Sequence, residues 1–274
     1  MLEKFIYTNH LGESLEFGKD CLFVNENDLR DFAWQITSKN NRISGFKKGI
    51  VQKTIPVILK CNSEAEGIQL RNQLFEVFEK DVLAQKHGKI QIGDYYLRCY
   101  ITGSKKTQYL INKDYMLVSL TVQTDLPEWV KETTTIFNTN AGNSTSQLDF
   151  PYDYPFDYGN AYANLQINNT DIVASNFIIV IFGAVQNPSL FIGGHEYSVN
   201  VLVDTGEYLT IDSINKTVVL TKVNGEQINC FNNRNKQSYI FEKIPSGSST
   251  INLVNQEMHF NITLLEERSE PRWT

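Results

Sequence analysis

Apolar residues in this chain recur mainly at every second position, in short runs separated by Gly, Asn, Asp and Pro, and that period predicts strands. Phe5-Ile6-Tyr7 and Leu15-Glu16-Phe17 flank the polar turn Asn9-His10-Leu11-Gly12 and predict an opening hairpin. Residues 31–36 read as a further strand with Phe32, Trp34 and Ile36 on one face. Residues 50–59 are rich in β-branched side chains, and Pro56 marks that strand as an edge or a bulged one. A hairpin is predicted over 89–101 around Gly93-Asp94, and a strand over 116–122 that gives out before Pro127.

One segment has a different period. Between residues 64 and 87, Leu70, Leu74, Val77, Phe78 and Val82 recur at steps of three and four, which predicts an amphipathic helix. Ser63 and Glu66 form an S-x-x-E capping box, and Glu64 adds a carboxylate to the first turn. Lys86 and His87 fall in the expected last turn, with Gly88 as a left-handed stop. Gly67 weakens the helix start by ~1 kcal/mol relative to Ala. Such a helix amid strands packs on a sheet; the alternative is a groove-filling partner helix.

After a polar, small-residue tract over 138–146, no second good helix occurs. Residues 176–182 form a strongly apolar strand closed by Gly183. Residues 190–192 and 197–203 flank Gly193-Gly194, 208–212 pair with 217–223, and Asn224-Gly225 supplies another hairpin turn. Residues 251–254 and 258–265 complete a set of short strands that implies a β-sandwich or jelly roll. The polar residues 266–274 read as irregular, with Trp273 large enough to dock on a neighbouring surface. The reading is a mainly β chain with one prominent helix. It has an N-terminal α+β domain over 1–137, a linker over 138–149, a β-sandwich over 150–265 and a tail over 266–274.

The second module opens on an aromatic alternation, Phe150, Tyr152, Tyr154, Phe156 and Tyr158, with Pro and Asp between the rings. Pro155 excludes a helix, so an extended segment would carry all five rings on one side. These rings, with Trp273, are the candidate interface or packing residues; stacking on sugars or bases is the alternative. Asp149, Asp153 and Asp157 lack the D-x-D-x-D-G form of a calcium loop.

Charge separates the two halves. Of 274 residues with a net charge of −6, residues 1–137 hold 18 Lys+Arg against 17 Asp+Glu, and residues 138–274 hold 7 against 14. An acidic second half disfavours nucleic acid there. Cys21, Cys61, Cys99 and Cys230 show no metal-finger or C-x-x-C spacing, which predicts buried thiols made in a reducing compartment. No apolar run reaches the ~20 residues of a membrane span, and the first residues lack a signal-like apolar core. Four sequons, at Asn143, Asn168, Asn215 and Asn261, are expected to be chance in an Asn-rich chain.

Motifs for catalysis are missing from the sequence. It has no phosphate-binding glycine loop and no G-x-S-x-G elbow. His10, His87, His195 and His259 are scattered, and read as surface or hydrogen-bonded structural residues. Glu266 and Glu267 point to opposite sides of a strand and make no acid/base pair. No enzyme, cofactor or metal is expected.

Several blocks in order carry a resemblance: Phe5-Ile6-Tyr7-Thr8-Asn9 with Gly12, Gly88-Lys89, and Gly93-Asp94-Tyr95-Tyr96-Leu97. They continue with Pro127-Glu128-Trp129, the Phe150–Tyr158 block, Asn168-Asn169, Gly183 with Asn187-Pro188, residues 206–212, and Pro271-Arg272-Trp273. In that order and spacing the chain resembles the distal tail proteins of bacteriophages with siphovirus-type tails. The resemblance implies a structural protein of the virion tail tip, assembled in the bacterial host cytoplasm. It implies a homo-hexameric ring built from the N-terminal domains, joining the tail tube protein to tail-associated or fibre proteins. It also implies a galectin-like C-terminal sandwich facing outward. The alternative function is a carbohydrate-binding module that contacts a host-surface glycan through that sandwich; a galectin-like fold does not by itself carry sugar binding.

Overall fold

The computed structural model describes residues 4–24, 26–109, 113–138, 165–254 and 258–273. The chain divides into two compact units, one of residues 1–131 with 267–274 and one of residues 132–266. The division falls a few residues before the expected 137/138 boundary and returns the C-terminal tail to the first unit. Among the described residues the chain is mainly β with one α-helix.

The first unit opens with β1 (Phe5–Thr8) and β2 (Ser14–Phe17), paired antiparallel as the hairpin pattern predicts. β3 (Leu22–Val24) follows, then β4 (Gln35–Lys39), β5 (Arg42–Lys47) and β6 (Val51–Lys60). Helix α1 (Glu64–Ala84) leads to β7 (Gly88–Ile92), β8 (Tyr95–Gln108) and β9 (Tyr115–Thr124). β10 (Trp129–Phe137) carries the chain out of this unit.

The 14-residue β8 is shared between two layers. Its first part pairs with β7 over Tyr95–Cys99, and β7 continues the sheet to β1 and β2. Its second part pairs with β9 from Tyr100 onward, through register shifts at Ile101/Gly103 and Lys106/Gln108, and β9 continues to β6 and β3. Alternate residues of these strands are buried, and they form one core with Leu74, Val77 and Phe78 of α1. The Phe78 ring meets Tyr7 edge-on, 5.1 Å between centroids.

Two expectations fail here and a third holds only locally. Residues 31–34 form no strand, and Phe32, Trp34 and Ile36 are exposed; the strand starts only at Gln35, and its partner is β5, which the period had not marked. Pro56 lies within a strand paired on both sides, although β3 reaches only Val57–Leu59, so Pro56 sits where the second edge of β6 is uncovered. The helix stops at Ala84, its left-handed residue is Gln85 with φ 52°, and Lys86 and His87 lie beyond it. Gly88 begins β7 instead. A Cβ there would collide with the Asp81 carboxylate and the Tyr7 hydroxyl, so the glycine serves close packing. Gly67 has a comparable role: a Cβ would run into the backbone of Lys113 and Asp114, so the helix approaches that loop only without a side chain.

The second unit holds β11 (Leu165–Asn169), β12 (Asn176–Phe182), β13 (Val185–Gln186), β14 (Ser189–Ile192) and β15 (His195–Ser198). β16 (Leu202–Val203), β17 (Tyr208–Asp212), β18 (Thr217–Thr221), β19 (Gln227–Asn229) and β20 (Gly247–Leu253) follow. β21 (His259–Arg268) runs on through Glu266 and Glu267, which the polar composition had marked as irregular.

Two antiparallel sheets face one core. One has the order β19-β18-β17-β12-β21, the other β11-β20-β14-β15. Phe177, Ile179 and Ile181 of β12 meet Leu190, Ile192 and Tyr197 from the opposite sheet in a single buried cluster. Buried polar side chains tie the ends of these strands. Asn169 donates to Val173 O at 3.2 Å and Ile244 O at 3.0 Å, and its Oδ1 accepts from Asp171 N–H and the Ser175 hydroxyl, both at 3.1 Å. Ser213 Oγ accepts the Phe177 N–H at 2.7 Å and donates to Asn176 Oδ1 at 3.2 Å.

Candidate functional site

Among the described residues of the first unit, the β4–β5 hairpin and its flanks carry a group of exposed apolar side chains. Asn40 and Asn41 both take positive φ, 52° and 58°, the conformation of a two-residue hairpin turn that Asn tolerates. Ile36 pairs with Phe46, and Ser38 pairs with Ile43. Ser44 is an extra residue in β5, and this bulge turns Ile43 onto the face of Ile36 and Phe46. Strict alternation would have placed Ile43 on the other face. Ile36, Ile43 and Phe46 are 60–61 % exposed, and Phe32, Trp34 and Ile50 lie open on the flanking segments. The hairpin pairs with no other strand among the described residues, so its outer edges also offer free backbone groups.

Its base is held firmly. Leu29 is fully buried, and the buried Lys53 donates to Asp28 O at 2.8 Å and Asp31 O at 2.5 Å. Burial pushes the Lys53 ammonium below its ordinary range, against the pull of Asp28 and Asp31. Lys48 lies 4.6 Å over the Trp34 ring and pairs with Glu128 at 3.3 Å. A fixed base and an apolar, uncovered tip suit docking rather than chemistry.

The sequence pattern missed this hairpin. The usable signal was Asn40-Asn41 between Gln35-Ile36-Thr37 and Ile43-Ser44-Gly45-Phe46, a turn pair between short β-prone runs.

The second feature is a polar cluster where the β1–β2 turn meets the end of α1. Asp81, fully buried, accepts from the Tyr7 hydroxyl at 2.5 Å and from the His10 N–H at 2.9 Å, and its other contact is His10 Nδ1 at 2.5 Å. Burial first, then the bond to Asp81, pushes the Tyr7 phenol above its ordinary range, so it stays a donor. Glu13 is bound by Lys80 at 2.6 Å and by Asn9 at 2.7 Å, and the lysine pulls its carboxyl below the ordinary range. An adjoining open cavity of about 610 Å³ is lined by His10, Lys86, His87, Lys89 and Tyr100, among others. No nucleophile faces this histidine–carboxylate pair among the contacts described, so the cluster reads as a structural staple. Asp81 follows Leu74, Val77 and Phe78 on the apolar face of the helix, and a carboxylate on that face was the visible clue.

Of the residues singled out from sequence, Phe150, Tyr152, Tyr154, Phe156 and Tyr158 lie outside the described residues. So do Asp149, Asp153 and Asp157. Trp273 is 75 % exposed, with the Arg30 guanidinium 4.0 Å over its ring and Arg30 Nη1 donating to Pro271 O at 3.0 Å. The ring thus meets the Arg30 guanidinium and is otherwise largely exposed. All four cysteines are buried and free, as the spacing predicted. Among the described residues no helix is long and apolar enough to cross a membrane.

An α+β unit with a strand shared between two layers, followed by a two-sheet β unit, gives this chain the fold of solved phage hub and baseplate proteins. The SPP1 Dit protein, described as a paradigm of the hub adsorption apparatus in phages infecting Gram-positive bacteria, matches over 96 % of this chain and 99 % of its own, with a TM-score of 0.61 and 13 % identity. A chain of the phage P2 baseplate in its activated conformation with Ca matches over 99 % and 100 %, with a TM-score of 0.62 and 14 % identity. The same baseplate with Sr gives 98 % and 99 %, 0.61 and 14 %. No family model matches the sequence, and no curated protein matches it.

Proposed function

We propose that this chain is a structural hub of a phage tail tip. The observation that carries the reading is the near-full-length match in fold to phage hub and baseplate proteins, over both units and in the same order. The first unit acts as the ring-forming domain, and six copies close head to tail through two different patches per subunit. The β4–β5 hairpin supplies one patch, since its apolar residues are exposed and it pairs with no other strand among the described residues. The second unit is a galectin-like sandwich carried outward. The ring joins the tail tube protein on one side to tail-associated or fibre proteins on the other, in a virion assembled in the host cytoplasm.

Light scattering across a concentration series tests this. A species of six times 31.4 kDa is expected, alone or with the adjoining tail proteins. A monomer at every concentration, and no ring on adding those proteins, would overturn it. Sugar binding was suggested by the sandwich together with the aromatic block 150–158; the block lies outside the described residues, and a sandwich fold does not by itself carry sugar binding.

A further inference from the structure

Three potential metal ligands converge at the start of α1. Cys21 immediately precedes β3, Cys61 immediately follows β6, and Glu66 lies in the first helical turn. Their Sγ and carboxylate oxygen atoms all lie within 4.8 Å of one another, and Cys21 Sγ is 3.4 Å from Glu66 Oε1. Four-coordinate zinc has bonds of about 2.3 Å to sulfur and about 2.0 Å to oxygen, and such bonds at tetrahedral angles separate the ligand atoms by roughly 3.5–4 Å. The Cys21–Glu66 separation is close to that requirement, and the other two separations stay within 4.8 Å.

The ligands are also fixed from behind. Lys60 N–H donates to Cys21 O at 2.9 Å, Cys61 N–H donates to Asp114 O at 2.9 Å, and Asn62 N–H binds the second Glu66 oxygen at 3.1 Å. That last bond orients the carboxylate and leaves Oε1 toward the sulfurs, as outer-shell partners do at metal sites. Both cysteines are buried, while Glu66 is exposed, so the cluster has an entry path from solvent. Two thiolates and a carboxylate around a divalent ion leave a net charge of −1, which the positive end of α1 stabilises.

We propose that Cys21, Cys61 and Glu66 bind one zinc-class divalent ion, with a fourth position open to water. The thiolate donor set selects a soft or borderline ion over calcium or magnesium. Binding releases the two thiol protons to solvent and changes no oxidation state. Burial and the neighbouring Cys61 and Glu66 push the Cys21 thiol up to about 12, so without metal it stays protonated at neutral pH. The site ties three segments of the first unit together and stands whether or not that unit forms a ring.

Cobalt(II) titration of the reduced full chain is the test. One ion per chain is expected, with thiolate charge-transfer absorption and the visible bands of a four-coordinate ion. Cys21→Ser and Cys61→Ser should weaken binding by at least about 100-fold, and Glu66→Gln by about tenfold or more, whereas Cys230→Ser should leave it unchanged. Alkylation with mass mapping gives a second readout on the unaltered protein, in which zinc should protect Cys21 and Cys61 selectively. No thiolate bands in the reduced protein, bands surviving both cysteine substitutions, or absence of selective protection would each overturn the site.

Discussion

Asp81 shows how one residue can fix a junction. A carboxylate fully withdrawn from water is costly unless its lone pairs are occupied, and Tyr7 and His10 occupy them. Removing one donor leaves a buried acceptor unsatisfied. Tyr7→Phe should therefore cost about 1–3 kcal/mol, read as a lower urea midpoint with an unchanged slope. Gly88→Ala acts on the same junction by crowding: its methyl group would meet the Asp81 carboxylate and the Tyr7 ring, and about 1–3 kcal/mol of destabilisation is expected in the same measurement. A Gly88→Ala variant as stable as the parent would mean that β7 can shift away from α1 without loss. Glu207 and Lys222 bring a pH term. They pair at 2.9 Å, which holds the Glu207 carboxyl below its ordinary range and the Lys222 ammonium above its own. The carboxylate contributes stability above its unfolded value of about 4.3, and that is lost as pH falls through the lower folded value. The ammonium contributes below about 10.4 and loses its share as pH rises through the higher folded value. Thermal melts of Glu207→Gln and parent protein should thus differ most on the plateau between these limits and converge in strong acid.

At the scale of elements, the sequence was legible wherever burial is one-sided. β1, β2, β7, β12, β17 and β18 alternate because one face meets a core, and the β1–β2 and β7–β8 turns carry Gly12 and Gly93 where φ is positive. Residues 31–47 were misread because their apolar residues face solvent, so periodicity reported a face without a core behind it. β10 escaped because its polar middle, Lys131-Glu132-Thr133-Thr134-Thr135, hides a strand buried only near its ends, at Trp129, Val130 and Phe137. The helix end was misplaced because Gly88 carries two meanings, stop signal and close packing, that only a neighbour can separate. The Cys21–Cys61–Glu66 cluster was likewise invisible, since strand pairing rather than spacing brings it together. The exposed hairpin leads to a test that separates folding from assembly. Ile36→Ser with Phe46→Ser should change monomer stability by no more than about 0.5 kcal/mol, because neither side chain is buried. The same pair of substitutions should abolish or strongly weaken self-association in light scattering. Equal association by parent and variant would remove the hairpin from the interface.

At the scale of the molecule, the two units differ in charge more sharply than the sequence halves do. Unit one holds 20 Lys+Arg against 18 Asp+Glu, a net of +2, and unit two holds 5 against 13, a net of −8. For the proposed ring, that contrast distinguishes two kinds of subunit contact, and salt tells them apart. A contact between the mildly basic unit of one copy and the acidic unit of the next would be electrostatic. It would weaken as the screening length falls from about 10 Å at 0.1 M salt toward about 3 Å at 1 M. A contact made by the first units alone, through Ile36, Ile43 and Phe46, is apolar and gains slightly from salts that strengthen burial. The apolar seam predicts a self-association constant that is constant or rises between low and high salt in sedimentation experiments. A steep fall in association with salt would instead transfer the seam to the charged surfaces of the two units, and the hairpin would then face another tail protein.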